Sequence, residues 1–240
     1  ISEAGIMGAG VGAALTGMRP IVEIMFGDFI TIAMDQVVNQ AAKLCYMTGG
    51  QTSVPLTIRT TIGAGRSSAA QHSQSLQAWM AHIPGIKVLI PSTPADLKGL
   101  LKSAIRDENP VIIYEDKMMY SVKGMVPEGV DHTVPIGIAD IKREGSDVTI
   151  VATSSMVQVA LNAADTLAEE EGINVEVVDP RTLSPLDTDT ILNSVRKTGR
   201  AVVIDEGHRS YGVTAEIAAL IGDEVFDYLD APVKRLGAMD

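Results

Sequence analysis

Residues 147–179, DVTIVATSSMVQVALNAADTLAEEEGINVEVVD, decide the fold. A β-branched run over 147–152 reads as a buried strand, 156–171 as a helix and 175–179 as a second buried strand. Two strands joined through a helix of that length must lie parallel. The same alternation fills the rest of the chain. Upstream, the spacing predicts strands over 21–25, 55–60, 87–90 and 111–114, with helices over 2–16, 31–47, 74–81 and 92–105. Ser2 stands as an N-cap with Gly17 as the stop, and Ser92-Thr93-Pro94 opens a helix with proline in its first turn. Downstream come a helix over 187–197, a strand over 201–204, a helix over 213–221 and a strand over 233–236. The expected class is α/β with two doubly wound domains: 1–125, a linker over 126–145 that carries Pro127, Gly129 and Pro135, and 146–240.

The bulk properties narrow the function. Of 240 residues, 46% are apolar and only 4% aromatic, so the core rests on aliphatic side chains. A net charge of −11 argues against nucleic acid or an anionic membrane as partner. No apolar run reaches 18 residues, and one cysteine, Cys45, allows no internal disulfide, which fits a reducing compartment. A mean hydropathy of +0.19 points to apolar surface kept for subunit contacts. The chain opens on Ile1 with a helix already beginning and stops soon after a strand, so both ends read as truncated.

Several residues carry chemical meaning. Gly8-Ala9-Gly10-Val11-Gly12-Ala13 matches the dinucleotide pattern, but it falls inside a helix rather than a strand-to-helix turn. Close packing through glycines 5, 8 and 12 is the better account, and a dinucleotide-binding oxidoreductase stays open as a rival. Glu3 in a first helical turn is, taken alone, an ordinary partner of the helix dipole. Met25 and Phe29, taken alone, are core. His72 ends a Gly/Ser-rich loop, where an imidazole can reach a ligand. Of the other histidines, His82 lies in an apolar run, His132 in the linker, and His208 on a loop as second candidate. Gly27-Asp28-Phe29 and Gly222-Asp223-Glu224 both lack the third glycine of a Gly-Asp-Gly diphosphate motif.

Taken together, Ile1-Ser2-Glu3-Ala4-Gly5, the run 41–50 and Gln71-His72-Ser73-Gln74-Ser75 resemble the beta subunits of thiamine-diphosphate-dependent components of 2-oxo acid and acetoin dehydrogenase complexes. The resemblance runs over essentially the whole chain. It implies a pyrimidine-binding domain followed by a transketolase C-terminal-type domain, the latter carried by 177–187 and serving subunit contacts or acyltransferase docking. It implies that Glu3 shares a proton with N1′ of the cofactor's aminopyrimidine, that Met25 and Phe29 face that ring, and that His72 handles protons or guides the lipoyl group. It implies thiamine diphosphate as cofactor, with Mg²⁺ held by an alpha subunit in a complex of two alpha and two beta chains. A lipoyl acyltransferase is then a further partner, and Leu56, Ala104, Asp107 and Asn109 are candidate ligands for potassium. Residues 28–35 and 81–85 look most like the acetoin branch, with pyruvate the runner-up substrate. The expected location is the cytoplasm, or the mitochondrial matrix in a eukaryote. A non-catalytic assembly subunit remains the reading of another class.

Overall fold

The computed structural model describes residues 2–129 and 131–239. Two compact units divide the chain, Ile1–Ile136 and Gly137–Asp240. In the first, α1 (Glu3–Leu15) precedes β1 (Ile21–Ile24), and an irregular helical stretch leads through α2 (Leu44–Met47) to β2 (Thr57–Ile62). Then follow α3 (Gln77–Ala81), β3 (Lys87–Leu89), α4 (Pro94–Arg106) and β4 (Val111–Asp116). Their strands stand in the order β1-β2-β4-β3, all parallel, with Thr57 opposite both Ile21 and Val111. β2 and β4 are buried almost throughout, as a parallel sheet covered on both faces requires. Leu100 and Ala104 of α4 close over Leu89, Val111 and Ile113.

Helix boundaries follow local chemistry. Thr93 Oγ1 accepts from Asp96 N at 3.0 Å, and Pro94 occupies the first turn, as the sequence predicts. Ser2 does not cap α1 by its side chain; it takes positive φ (58°). Gly17, with φ of 91°, is the expected stop. The stretch 31–47 is not one regular helix. A 3₁₀ helix covers Gly27–Ala33, a π-helix covers Asp35–Ala41, and only Leu44–Met47 is α-helical. The Ala42 N–H reaches five residues back to Val37 O at 3.0 Å. Periodicity alone cannot separate these winding states.

The second unit holds β5 (Asp140–Arg143), β6 (Val148–Ala152), α5 (Met156–Glu171), β7 (Val175–Asp179), β8 (Thr182–Ser184), α6 (Thr188–Thr198), β9 (Ala201–His208), α7 (Val213–Glu224) and β10 (Lys234–Ala238). Its sheet runs β10-β9-β6-β7-β5, parallel except for β5. The decisive 147–179 stretch forms β6-α5-β7 with Ala160 and Ala164 packed against Ile150, Val175 and Val177. Asp187 caps α6 by accepting from Thr190 N at 3.1 Å.

The expected linker 126–145 is divided between the units. Ser103 Oγ donates to Val134 O at 2.6 Å, tying 134 to the first unit. Asp140–Arg143 joins the second sheet antiparallel to β7. Its half-exposed edge position explains why no apolar run announced it.

The glycines of α1 act differently from the expected 5, 8 and 12 pattern. A Cβ at Gly10 would lie 2.5 Å from Val22 Cγ2 and 3.2 Å from Leu56 Cδ1, while at Gly12 it would meet nothing within 4 Å. Gly10→Ala is therefore expected to destabilise the subunit by about 1–3 kcal/mol through overpacking. Gly12→Ala should stabilise it by up to about 1 kcal/mol through helix propensity. Urea unfolding of the two variants checks the opposite signs.

Candidate active site

The carboxyl ends of β1, β2 and β4 meet at one level, the usual place for a ligand in a parallel sheet. The chain leaves β1 at Met25 and turns at Gly27. A Cβ at Gly27 would stand 2.3 Å from Thr61 O, so only glycine fits there. Thr61 Oγ1 donates to Met25 O at 3.0 Å and holds the turn against β2. Three rings gather beyond it. His72 meets Phe26 edge-on with centroids 4.6 Å apart, and Phe29 at 5.3 Å. Buried Asp28 accepts from Gln74 N and Nε2 at 3.2 and 3.0 Å through Oδ1, while its Oδ2 has no hydrogen-bond partner among the described residues. Met25 is 69% exposed at the rim.

Glu3 stands in the first turn of α1, and α1 packs on both helical segments that follow the turn. Glu3 is part-buried there. The glycine-rich run 8–13 lies wholly inside α1, not in a turn after a strand, so the dinucleotide fingerprint does not apply.

A cavity of about 390 Å³ opens at the strand ends, lined by Met25, Phe26, Arg59, Arg66, Lys117 and Tyr120 among others. Its wall carries a charge network that sequence reading missed. Arg59 binds Glu115 through two parallel hydrogen bonds at 2.7 and 2.8 Å and reaches Glu23 at 3.0 Å. Tyr120 donates to Glu115 at 2.9 Å. The Glu115 hydrogen bonds hold the Arg59 pKa up, and burial followed by Glu115 raises that of Tyr120, so both remain donors. The available signal was an arginine inside an otherwise uncharged strand and the run Glu115-Asp116-Lys117 at the end of another.

The remaining histidines stand elsewhere. His82 is exposed, His132 Nε2 lies 3.0 Å from Ala95 O, and His208 ends β9 in the second unit. The potassium candidates form one loop beside Leu56, whose O accepts from Val111 N at 2.9 Å. Ala104 O accepts from Asp107 N at 3.2 Å. The Asp107 carboxylate is taken by Lys87 at 2.5 Å and by the Asn109 amide groups at 2.9 and 3.0 Å. Arg19 donates to Ile105 O and Asp107 O at 3.1 and 2.9 Å, so a cation already faces these carbonyls. The fit to potassium is therefore limited to carbonyl lone pairs still open. Among the described residues no cluster of three or more His, Cys, Asp or Glu could hold a metal.

Residues 1–123 match the transketolase pyrimidine binding domain, and residues 137–240 the transketolase C-terminal domain. The chain is 55% identical over 238 residues to the acetoin:2,6-dichlorophenolindophenol oxidoreductase subunit beta of Bacillus subtilis (strain 168), covering 99% of this chain and 69% of that protein. It belongs to the beta subunits of acetoin and 2-oxo acid dehydrogenase E1 components. A pyruvate dehydrogenase E1 component subunit beta from Rhizobium meliloti (strain 1021) is 48% identical, covering 100% of this chain and 52% of the relative. A solved split gene transketolase, an inactive beta4 tetramer, superposes with a TM-score of 0.81 at 30% identity, covering 100% of this chain and 73% of that one. In this E1 beta subunit the structure brings Phe29 and His72 into contact beside Met25, with Glu3 on the helix packed against the same segment. It sets the 104–109 loop apart as an ion-paired cluster.

Burial would raise the Asp107 pKa, but Lys87 and the Asn109 amides outweigh it and leave the carboxyl below its ordinary value. A depressed carboxylate contributes stability above its unfolded pKa, about 3.9, that is lost as pH falls through the folded value. Lys87→Met should shrink this loss. Urea midpoints of both proteins should differ at pH 6 and draw together as the pH falls below about 3.9.

Proposed function

We propose that this E1 beta subunit supplies the pyrimidine side of a thiamine diphosphate site completed by an alpha subunit. The assembled enzyme cleaves acetoin and passes the acyl unit to a lipoyl group on an acyltransferase. The observation that carries this reading is the packing of the Glu3 helix on the turn that presents Met25, Phe26 and Phe29, with His72 against both phenyl rings. The apolar side chains of Met25, Phe26 and Phe29 together with the Glu3 carboxylate suit a flat aminopyrimidine, which needs an apolar face and one proton-sharing oxygen. Thiamine diphosphate supplies an electron sink at a bond beside a carbonyl. Glu3 holds the shared proton at N1′, and Met25 and Phe29 pack on the ring. His72 moves a proton at the site entrance during transfer.

Glu3 is only part-buried in the lone chain, and a proton-sharing role needs desolvation, which a covering partner provides. The exposed apolar side chains Ile6, Leu15 and Met18 beside α1, and Tyr46, Met47 and Met125, mark surface for such a partner. Because the chain lacks a Gly-Asp-Gly motif, Mg²⁺ and the diphosphate are assigned to the alpha subunit, in a complex of two alpha and two beta chains. Potassium, if bound, takes the open lone pairs of Leu56 O and Ala104 O beside Asp107 and Asn109. No helix among the described residues is long and apolar enough to cross a membrane. Independently of that, the proposed setting for this chemistry is the cytoplasm, or the mitochondrial matrix in a eukaryote.

Acetoin is favoured because the relatives at 55% and 51% identity are acetoin:2,6-dichlorophenolindophenol oxidoreductase beta subunits. Pyruvate is second, on relatives at 48% and 49%. Mixing the subunit with its alpha partner, thiamine diphosphate and Mg²⁺ should give dye-linked turnover that neither chain shows alone. Acetoin should exceed pyruvate in kcat/KM by at least about tenfold, near 1.4 kcal/mol in transition-state binding. Steady turnover by the beta chain alone would sink the shared site, and a pyruvate preference would move the substrate assignment only.

In that complex Glu3→Gln should slow deuterium exchange at C2 of the bound cofactor by about 100-fold while leaving cofactor affinity within a few-fold. Unchanged exchange would leave Glu3 as a helix-end carboxylate and nothing more.

A further inference from the structure

The loop that carries His72 is held from two sides by buried charged groups. On the upstream side Ser67 and Ala69 take positive φ, 52° and 66°, a backbone that residues with a Cβ adopt only under constraint. Lys117, the first residue after β4, is 3% exposed. Its Nζ donates to the main-chain O of His72 at 2.5 Å and lies 5.7 Å from the centroid of Phe26. Phe26 in turn meets the His72 ring at 77°, and Phe29 meets it at 90°. Downstream, Asp28 receives both the main-chain and side-chain N–H groups of Gln74. The imidazole therefore has two aromatic walls, and the main chain is pinned at its own carbonyl and at Gln74.

A buried ammonium must be met by acceptors, and the His72 carbonyl and the Phe26 face are among the groups that meet this one. A methionine or leucine would fill the same volume without that requirement. Among the groups that the ammonium holds is the peptide carbonyl of the histidine that lies against both phenyl rings.

We propose that Lys117 is a positioning residue for His72, fixing the imidazole in the Phe26–Phe29 corner through the His72 carbonyl. Its catalytic consequence rests on the proposed role of His72; the clamp itself does not. Lys117 acts before any substrate arrives, so it should alter the histidine's reactivity in the enzyme without substrate as well as its performance in transfer.

The test uses the assembled enzyme with Lys117→Met, Lys117→Gln, Lys117→Arg, His72→Ala and the Lys117→Met/His72→Ala pair. Carbethoxylation by diethyl pyrocarbonate is followed for each histidine by peptide mass spectrometry, with His82, His132 and His208 as references in the same chain. Lys117→Met should raise the His72 rate roughly tenfold relative to the references, as expected for loss of one charge-assisted hydrogen bond. Lys117→Arg, which keeps charge and donors, should stay near wild type. If Lys117→Met accelerates all four histidines together, its fold is lost and the decision passes to Lys117→Gln, which must accelerate His72 selectively. An unchanged relative rate for His72 overturns the clamp.

The second readout separates transfer from cleavage. Lys117→Met should slow acylation of a lipoyl domain about tenfold with the KM for the small substrate unchanged. Added to His72→Ala it should cost nothing further, because two residues acting as one unit are not additive. Additive losses would place Lys117 outside the His72 unit and overturn the proposal. If His72→Ala leaves transfer intact, the role proposed for His72 falls, while the carbethoxylation rates still decide whether Lys117 holds the ring.

Discussion

Everything at the site depends on the register of β2 between its two parallel neighbours. Thr60 stands opposite Ile24 on one side and Tyr114 on the other, and Thr61 stands opposite Glu115. That pairing brings Met25, Thr61 and Glu115 to one height, where a ligand can touch all three chains. A slip of one residue would turn every side chain of β2 to the opposite face. Arg59 would then leave Glu23 and Glu115, and Thr61 Oγ1 would lose Met25 O. The apolar residues of β2 and β4 secure the register by burial, and the polar residues at their ends make use of it.

The Arg59 network shows why charge is tolerated there. A paired guanidinium that is about one-third exposed adds little net stability, because desolvation offsets attraction. Its value is directional. Two parallel hydrogen bonds from a planar group to one carboxylate fix β2 against β4 more narrowly than aliphatic contact does, and the reach to Glu23 adds β1. Tyr120 then closes the outer side of Glu115. Three strands thus share one set of polar contacts at the mouth of the cavity.

Much of this was legible in the residues. The β6-α5-β7 unit could be read directly because a continuous apolar run, a long amphipathic helix and a left-handed Gly172 leave few alternatives. β5 was not legible, since an edge strand beside a single neighbour needs no apolar run. The 31–47 stretch was read as one helix, not as the end of a 3₁₀ helix followed by π, because apolar spacing does not resolve winding. At the site, Glu3, Met25, Phe29 and His72 were singled out by resemblance to a family, not by physics, since each has an ordinary explanation alone. Lys117, Arg59 and Glu115 were missed because their meaning lies in partners 45 and 56 residues away. Such pairings are invisible to local pattern and plain once the strands are aligned.

The π-helix at Asp35–Ala41 bears on how the chain can vary in length. A π turn is an α turn with one residue inserted, and the five-residue reach from Ala42 to Val37 marks the surplus. Removing one residue there leaves an α-helical winding ready to take over, with both ends of the segment close to their present places. The same deletion in β2 would reverse every following side chain. Insertions and deletions are thus absorbed on the helical side of the site and rejected on the strand side, so homologous chains can differ in length next to the site without disturbing its geometry.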